Sequence, residues 1–201
     1  MRKFILLFSY LFHPVFIPTF GTLFYVFLSD NYLIKEQYTL LLIQVFMLTV
    51  LMPLTFFYVF KALGKIDSVM VSNVSQRKIP LVMQLCLTEI LLYKSVTLDR
   101  YFELFFFFLG GMGSMFAAFG LIFAQIKASL HMLAMSSLTF FVMGLMHHYQ
   151  INGVYTLATL MVLCGIVASS RLEMKAHTFE ELALGFVLGM MPQVVLWIFW
   201  L

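Results

Sequence analysis

Residues 153–169 read GVYTLATLMVLCGIVAS, residues 170–181 read SRLEMKAHTFEE, and residues 182–201 read LALGFVLGMMPQVVLWIFWL. The outer blocks are continuous apolar runs, and a helix needs about 20 such residues, rising about 1.5 Å each, to cross about 30 Å of hydrocarbon. Their apolar residues do not alternate with polar ones, so helices rather than barrel strands are indicated. The block between them is of another kind. It places two cations, an imidazole and three carboxylates in twelve residues of a chain that is 63% hydrophobic and 10% charged.

The same reading extends outward to the whole chain. Apolar segments fall at 4–28, 38–62, 80–98, 102–125, 129–147, 153–169 and 182–201, separated by short polar joints. With a mean hydropathy of +1.01, 24 Phe and 15 Met, the solvent of this chain is lipid rather than water. We expect an all-α, polytopic transmembrane helical bundle of six to seven spans, with residues 1–201 forming a single integral membrane domain. The 80–98 and 153–169 segments are the marginal ones by length. Met1-Arg2-Lys3 before an apolar run resembles a signal start, but the run is longer than a signal core and lacks a small-residue cleavage site, so it reads as a retained span. Pro14 and Pro18 should kink or break that span, with His13 a polar spot in it. Glycines 110, 111, 113, 185 and 189 have the small-residue spacing of close helix contacts.

Several classes are excluded or disfavoured. The net charge of +3 is scattered over joints, so no nucleic-acid partner is expected. Cys86 and Cys164 lack any metal or redox spacing and read as buried thiols. His147-His148 reads as a polar boundary, because adjacent helical residues face apart. Glu89, alone within an apolar segment, raises the thought of a transporter, yet no inverted repeat is visible. Without a DxxxD pair to hold a diphosphate through magnesium, a prenyl transferase is also disfavoured.

Seven spans put the second–third, fourth–fifth and sixth–seventh joints on one membrane face. Those joints carry Gln76-Arg77-Lys78-Ile79-Pro80, Lys127-Ala128-Ser129-Leu130-His131 and the 170–181 stretch. Arg77, Lys127 and Arg171 can grip phosphate oxygens, and helix N-termini near Ser129 and Thr178 offer free amides. Of His131 and His177, one can be nucleophile and the other proton donor, while Glu181, four residues on, shares a helix face with His177. Thr178-Phe179-Glu180-Glu181 is equally a capping box, which by itself accounts for Glu181.

Ser170-Arg171, then His177, then Glu181 resembles the SRxxxxxHxxxD signature of the type 2 phosphatidic acid phosphatase superfamily. Ala128-Ser129-Leu130-His131 resembles its PSGH element, and Arg77-Lys78-Ile79-Pro80 its KxxxxxxRP element, over a core of about 77–189. Ala128, Leu130 and Glu181 stand where the family has Pro, Gly and Asp, and Ser72 where its first Lys is expected; the Lys-x-Ser-x-His-Met form of the middle element is similar to a compact bacterial branch. The resemblance implies metal-independent and cofactor-free removal of phosphate from a lipid phosphate or diphosphate. His177 would form a phosphohistidine, His131 would protonate the leaving oxygen, and Glu181 would orient His177. Arg77, Lys127, Ser129, Ser170 and Arg171 would hold the phosphoryl group, with a phosphorylated lipid as substrate and membrane lipids as surroundings. The alternative is a non-catalytic phospholipid-binding or scaffolding membrane protein with a degenerate site. The bacterial cytoplasmic membrane is the expected location. Nine Lys and Arg on the cluster face, Lys65 among them, against three on the other place that face in the cytoplasm by the positive-inside rule. The resemblance points outward instead.

Overall fold

The computed structural model describes residues 2–29, 35–64 and 77–201. Lys65, Ser72 and Gln76 lie outside the described residues. Helices α1 (Arg2–Leu11) and α2 (Ile17–Leu28) flank a 3-10 turn, Pro14–Phe16. Helices α3 (Lys35–Phe46) and α4 (Met52–Ala62) join through a π-helical turn at Met47–Leu51. Then follow α5 (Lys78–Lys94), α6 (Phe102–Phe123), α7 (Leu130–His148), α8 (Val154–Glu173) and α9 (Phe179–Trp200). This is an all-α bundle, as the continuous apolar runs require.

Five helical stretches among the described residues, α3 through α4 taken as one with α6, α7, α8 and α9, are long and apolar enough to cross a membrane; α1 and α2, bent by 46°, form a broken span or a re-entrant pair. At 17 residues α5 is about 26 Å long, slightly short of the hydrocarbon thickness. It still runs back along α6, since Lys78 Nζ lies over the Phe123 ring. The marginal 153–169 segment resolves differently, as the 20-residue helix α8. Ser170 and Arg171 therefore belong to its last turn and not to a joint. The break in the first span follows from Pro14, which forces His13 into extended backbone (ψ 139°) and ends α1. Pro18 sits in the first turn of α2, where a missing N–H costs nothing.

Helix α7 is the buried centre, with Met135, Leu138, Phe141, Val142 and Leu145 almost wholly enclosed. Its start is fixed by Ser129, whose hydroxyl accepts from Met132 N–H. Helix α9 lies along α7 at backbone contact. A Cβ on Gly185 would collide with the Ser129 carbonyl, and one on Gly189 with the Leu133 carbonyl. The small-residue spacing is thus an α7–α9 packing device. Buried Gln193 adds a polar tie, donating to the Phe107 carbonyl at 3.0 Å and to Ser137 Oγ at 2.8 Å.

The two ends of the bundle carry separate polar clusters. At one end Glu103 of α6 accepts from the Tyr149 hydroxyl at 2.9 Å and meets His148 Nε2 at 3.3 Å, with Tyr25 near enough to interact with it electrostatically. His148 therefore contacts a carboxylate and is more than a boundary residue. Glu89 is exposed on the outer side of α5. Cys164 is buried as expected, but Cys86 is exposed, because α5 turns part of its apolar surface outward, where lipid replaces protein as the neighbour.

Because the Gly189 site has no room, Gly189→Leu is expected to push α9 off α7 and lower stability by about 1–3 kcal/mol. Thermal unfolding in detergent measures this; a melting temperature equal to that of the parent protein would contradict the packing.

Candidate active site

At the other end of the bundle three joints meet. The α8–α9 joint is bonded to the α6–α7 joint at three points. Ser129 N–H donates to the Glu181 carbonyl at 3.0 Å. Lys127 Nζ donates to the Ala176 carbonyl at 2.6 Å and lies 3.5 Å from Glu181 Oε2. The joint before α5 is tied in by Arg77, whose guanidinium donates to the Ala128 carbonyl at 2.9 Å.

The local chain shape that permits this is readable. Helix α8 closes with Ala176 N–H on the Arg171 carbonyl and Lys175 N–H on the Leu172 carbonyl, with Lys175 left-handed at φ 52°. This Schellman closure turns Ala176 and His177 back across the end of the bundle. Thr178 then caps α9 by accepting from Glu181 N–H. Here the capping box is realised by half: the Glu181 carboxylate turns to His177 Nδ1 instead, at 2.6 Å.

That contact sets a tautomer. A carboxylate only accepts, so His177 Nδ1 carries the proton and Nε2 keeps its lone pair. The ring is buried, and burial together with Lys127, Arg77 and Arg171 pushes its pKa down from 6.5 to about 4, against the opposing pull of Glu181. His177 is thus neutral near pH 7 and has a nucleophilic nitrogen.

His131 is fixed in a complementary way. Its Nε2 lies 3.1 Å from the Ser9 carbonyl, which can only accept, so Nε2 carries a proton and Nδ1 is the nitrogen left for chemistry. The Ser9 carbonyl is available because α1 ends early: His13 N–H goes to the Tyr10 carbonyl rather than one residue further back. Pro14 thereby acts on His131 through the backbone. His13 itself stands edge-on to His131, with ring centroids 5.2 Å apart at 86°.

A cavity of about 170 Å³ opens at this end and runs inward between α5, α6 and α7. Arg77, His131, Arg171 and His177 line it, with His13 from the broken span. The remaining residues proposed from sequence stand around it. Ser129 is buried as the α7 cap, Ser170 Oγ pairs with Ser9 Oγ at 2.6 Å, and Lys127 bridges the joints, so these three brace the site from behind. Ser9 and His13 are the participants that sequence reasoning did not assign. His13-Pro14 was a visible signal, whereas Ser9 contributes a carbonyl that any residue could supply.

Arg171 is the group least satisfied. It is only 5% exposed, its nearest hydrogen-bond acceptor is the Met174 thioether at 3.6 Å, and its Nε has no partner among the described residues. A second guanidinium, Arg77, lies close enough to feel the charge of Arg171. No group of three or more possible metal ligands occurs among the described residues. No family model matches the chain, nor does any curated protein or solved structure.

The depressed His177 pKa has a consequence for stability. Between pH 6.5 and about 4 the unfolded chain takes up a proton on His177 that the folded protein refuses, so this contribution is complete above pH 6.5 and is lost as pH falls through that window. His177→Asn is therefore expected to show a shallower fall of melting temperature from pH 6.5 to 4.5 than the parent; parallel curves would contradict a neutral buried ring.

Proposed function

We propose that this integral membrane protein is a metal-independent lipid phosphate phosphatase of the type 2 phosphatidic acid phosphatase kind, acting in the bacterial cytoplasmic membrane. The carrying observation is the buried guanidinium of Arg171, with no carboxylate bonded to it among the described residues and its Nε unsatisfied, beside Arg77 and two tautomer-fixed imidazoles in one cavity. A buried cation without an anion costs several kcal/mol, on the order of the penalty for any buried unpaired ion. A phosphoryl group supplies the missing charge, and its oxygens accept from both guanidinium forks.

Chemistry follows from the two rings. The His177 Nε2 lone pair attacks phosphorus, a P–N bond forms, and the P–O bond to the lipid breaks with its electrons retained on oxygen. His131, with Nε2–H on the Ser9 carbonyl, relays the proton through Nδ1: the phosphate monoester enters as its monoanion, and Nδ1 takes that proton from a phosphate oxygen and gives it to the leaving oxygen. The neutral ring then takes a proton from water as the water attacks the phosphohistidine, and inorganic phosphate leaves. Glu181 holds His177 throughout and offsets the positive charge it gains in the phosphoenzyme. The apolar walls below the cations suit a lipid chain.

Rapid quenching with a lipid carrying labelled phosphate should trap the label on the protein, acid-labile and base-stable, and His177→Ala should abolish both label and phosphate release. Retained release in His177→Ala would overturn the assignment. Separately, Arg171→Met should melt no lower than the parent without ligand, since it removes an unpaired buried charge. Orthovanadate should raise the melting temperature of the parent but not of this variant; stabilisation of both would place the anion elsewhere.

A further inference from the structure

The broken first span brings a third imidazole to the cavity. Pro14 holds His13 in extended backbone, and the turn that follows is anchored by Val15, which is buried with Val50 and Phe57 in a small apolar cluster. His13 therefore stands on a braced corner.

Only one of its two ring nitrogens is in use. Nδ1 accepts from Val15 N–H at 3.4 Å, so Nδ1 carries no proton and the neutral ring carries its proton on Nε2. That Nε2–H has no hydrogen-bond partner among the described residues, although the ring lines a cavity whose walls are mostly apolar. An N–H left unbonded in such surroundings costs free energy until an acceptor arrives.

Position narrows what the acceptor is. His13 meets His131 edge-on at 5.2 Å, and Arg171 is near enough to act electrostatically on both rings. Its neighbours are thus the ring that hands a proton to the departing oxygen and a guanidinium that holds the phosphoryl group. The departing oxygen lies between those two, because its bond to phosphorus breaks as Nδ1 of His131 protonates it. We propose that His13 is a third catalytic histidine, donating Nε2–H as a hydrogen bond to the leaving oxygen while the P–O bond breaks. Its own proton stays on Nε2; the proton that completes the alcohol comes through His131, and the bonding electron pair stays on the oxygen. The hydrogen bond strengthens as negative charge grows on that oxygen, so it favours the transition state over the bound ester. The inference rests on the phosphatase reading and adds to it a residue outside the three joints.

An activated leaving group has little need of such a donor. The test therefore gives the purified full-length protein, in mixed micelles, two substrates with one hydrocarbon chain: a long-chain alkyl phosphate, and a nitrophenyl phosphate carrying the same chain. For each, kcat/KM reports the steps up to departure of the oxygen. His13→Phe keeps an aromatic edge beside His131 and removes the N–H. It should lower kcat/KM about 10–100-fold on the alkyl phosphate and less than about 3-fold on the nitrophenyl phosphate. The ratio between the substrates does not depend on how much of the variant folds, and His13→Leu gives the same comparison should the Phe ring not be accommodated. His13→Gln, which can present an amide N–H, should recover most of the native ratio. Equal losses on the two substrates in His13→Phe and His13→Leu, or no loss on the alkyl phosphate, would overturn the inference while leaving the phosphatase reading intact. No phosphate release by the parent protein from either substrate would overturn both.

Discussion

Glu181 is the point on which the site depends, because one residue joins two loops through two different groups. Its carbonyl takes the N–H of Ser129 and so docks the start of α9 on the start of α7. Its carboxylate takes His177 and Lys127 and so sets the His177 tautomer and a loop bridge together. Close approach of the two helix starts is possible only because Gly185, one turn later, lets α9 touch the Ser129 backbone. Helix packing and the geometry of the polar cluster are therefore not separable here.

The opposite constraint is electrostatic. Arg77, Arg171 and Lys127 are gathered at one end of the bundle, while Glu181 is the carboxylate bonded among them. The arrangement is stable as a fold because α7 and α9 bury a large apolar surface elsewhere, and that surplus tolerates an unpaired guanidinium. Strain of this kind is a common mark of a binding site, where stability is given up for a charge that only the ligand satisfies. At the far end, Glu103 with Tyr149, His148 and Tyr25 shows the contrasting case of a buried carboxylate whose partners are all in the protein.

Much of this was legible in the chain. Seven apolar runs located the helical segments, and alternation of the joints put Arg77, His131, Arg171, His177 and Glu181 at one end. Spacing linked His177 to Glu181, but by a different geometry than a shared helix face: His177 precedes the Thr178 cap of α9, and the contact is made across the cap turn. What stayed hidden depends on tertiary detail. Ser9 acts through a carbonyl freed by Pro14, and no residue type marks that. Lys127, Ser129 and Ser170 have the right chemistry to hold phosphate, yet their polar atoms are used between loops and helices, a partition that composition does not record. Cys86 and Glu89 were misplaced or unplaced for a further reason: in a lipid-facing helix an apolar neighbourhood does not mean enclosure by protein.

A single site requires the joints before α5, before α7 and before α9 to share one membrane surface. In a protein with Cys86 and Cys164 replaced by alanine, single cysteines at Lys78, Ile126 and Lys175, all exposed, report those joints, and cysteines at exposed Leu98 and Ile151 report the opposite end. Labelling sealed vesicles with a membrane-impermeant maleimide should modify the first three from one side and the last two only from the other. If the positions at 78, 126 and 175 divided between the two sides, no common site could exist and the account would be wrong.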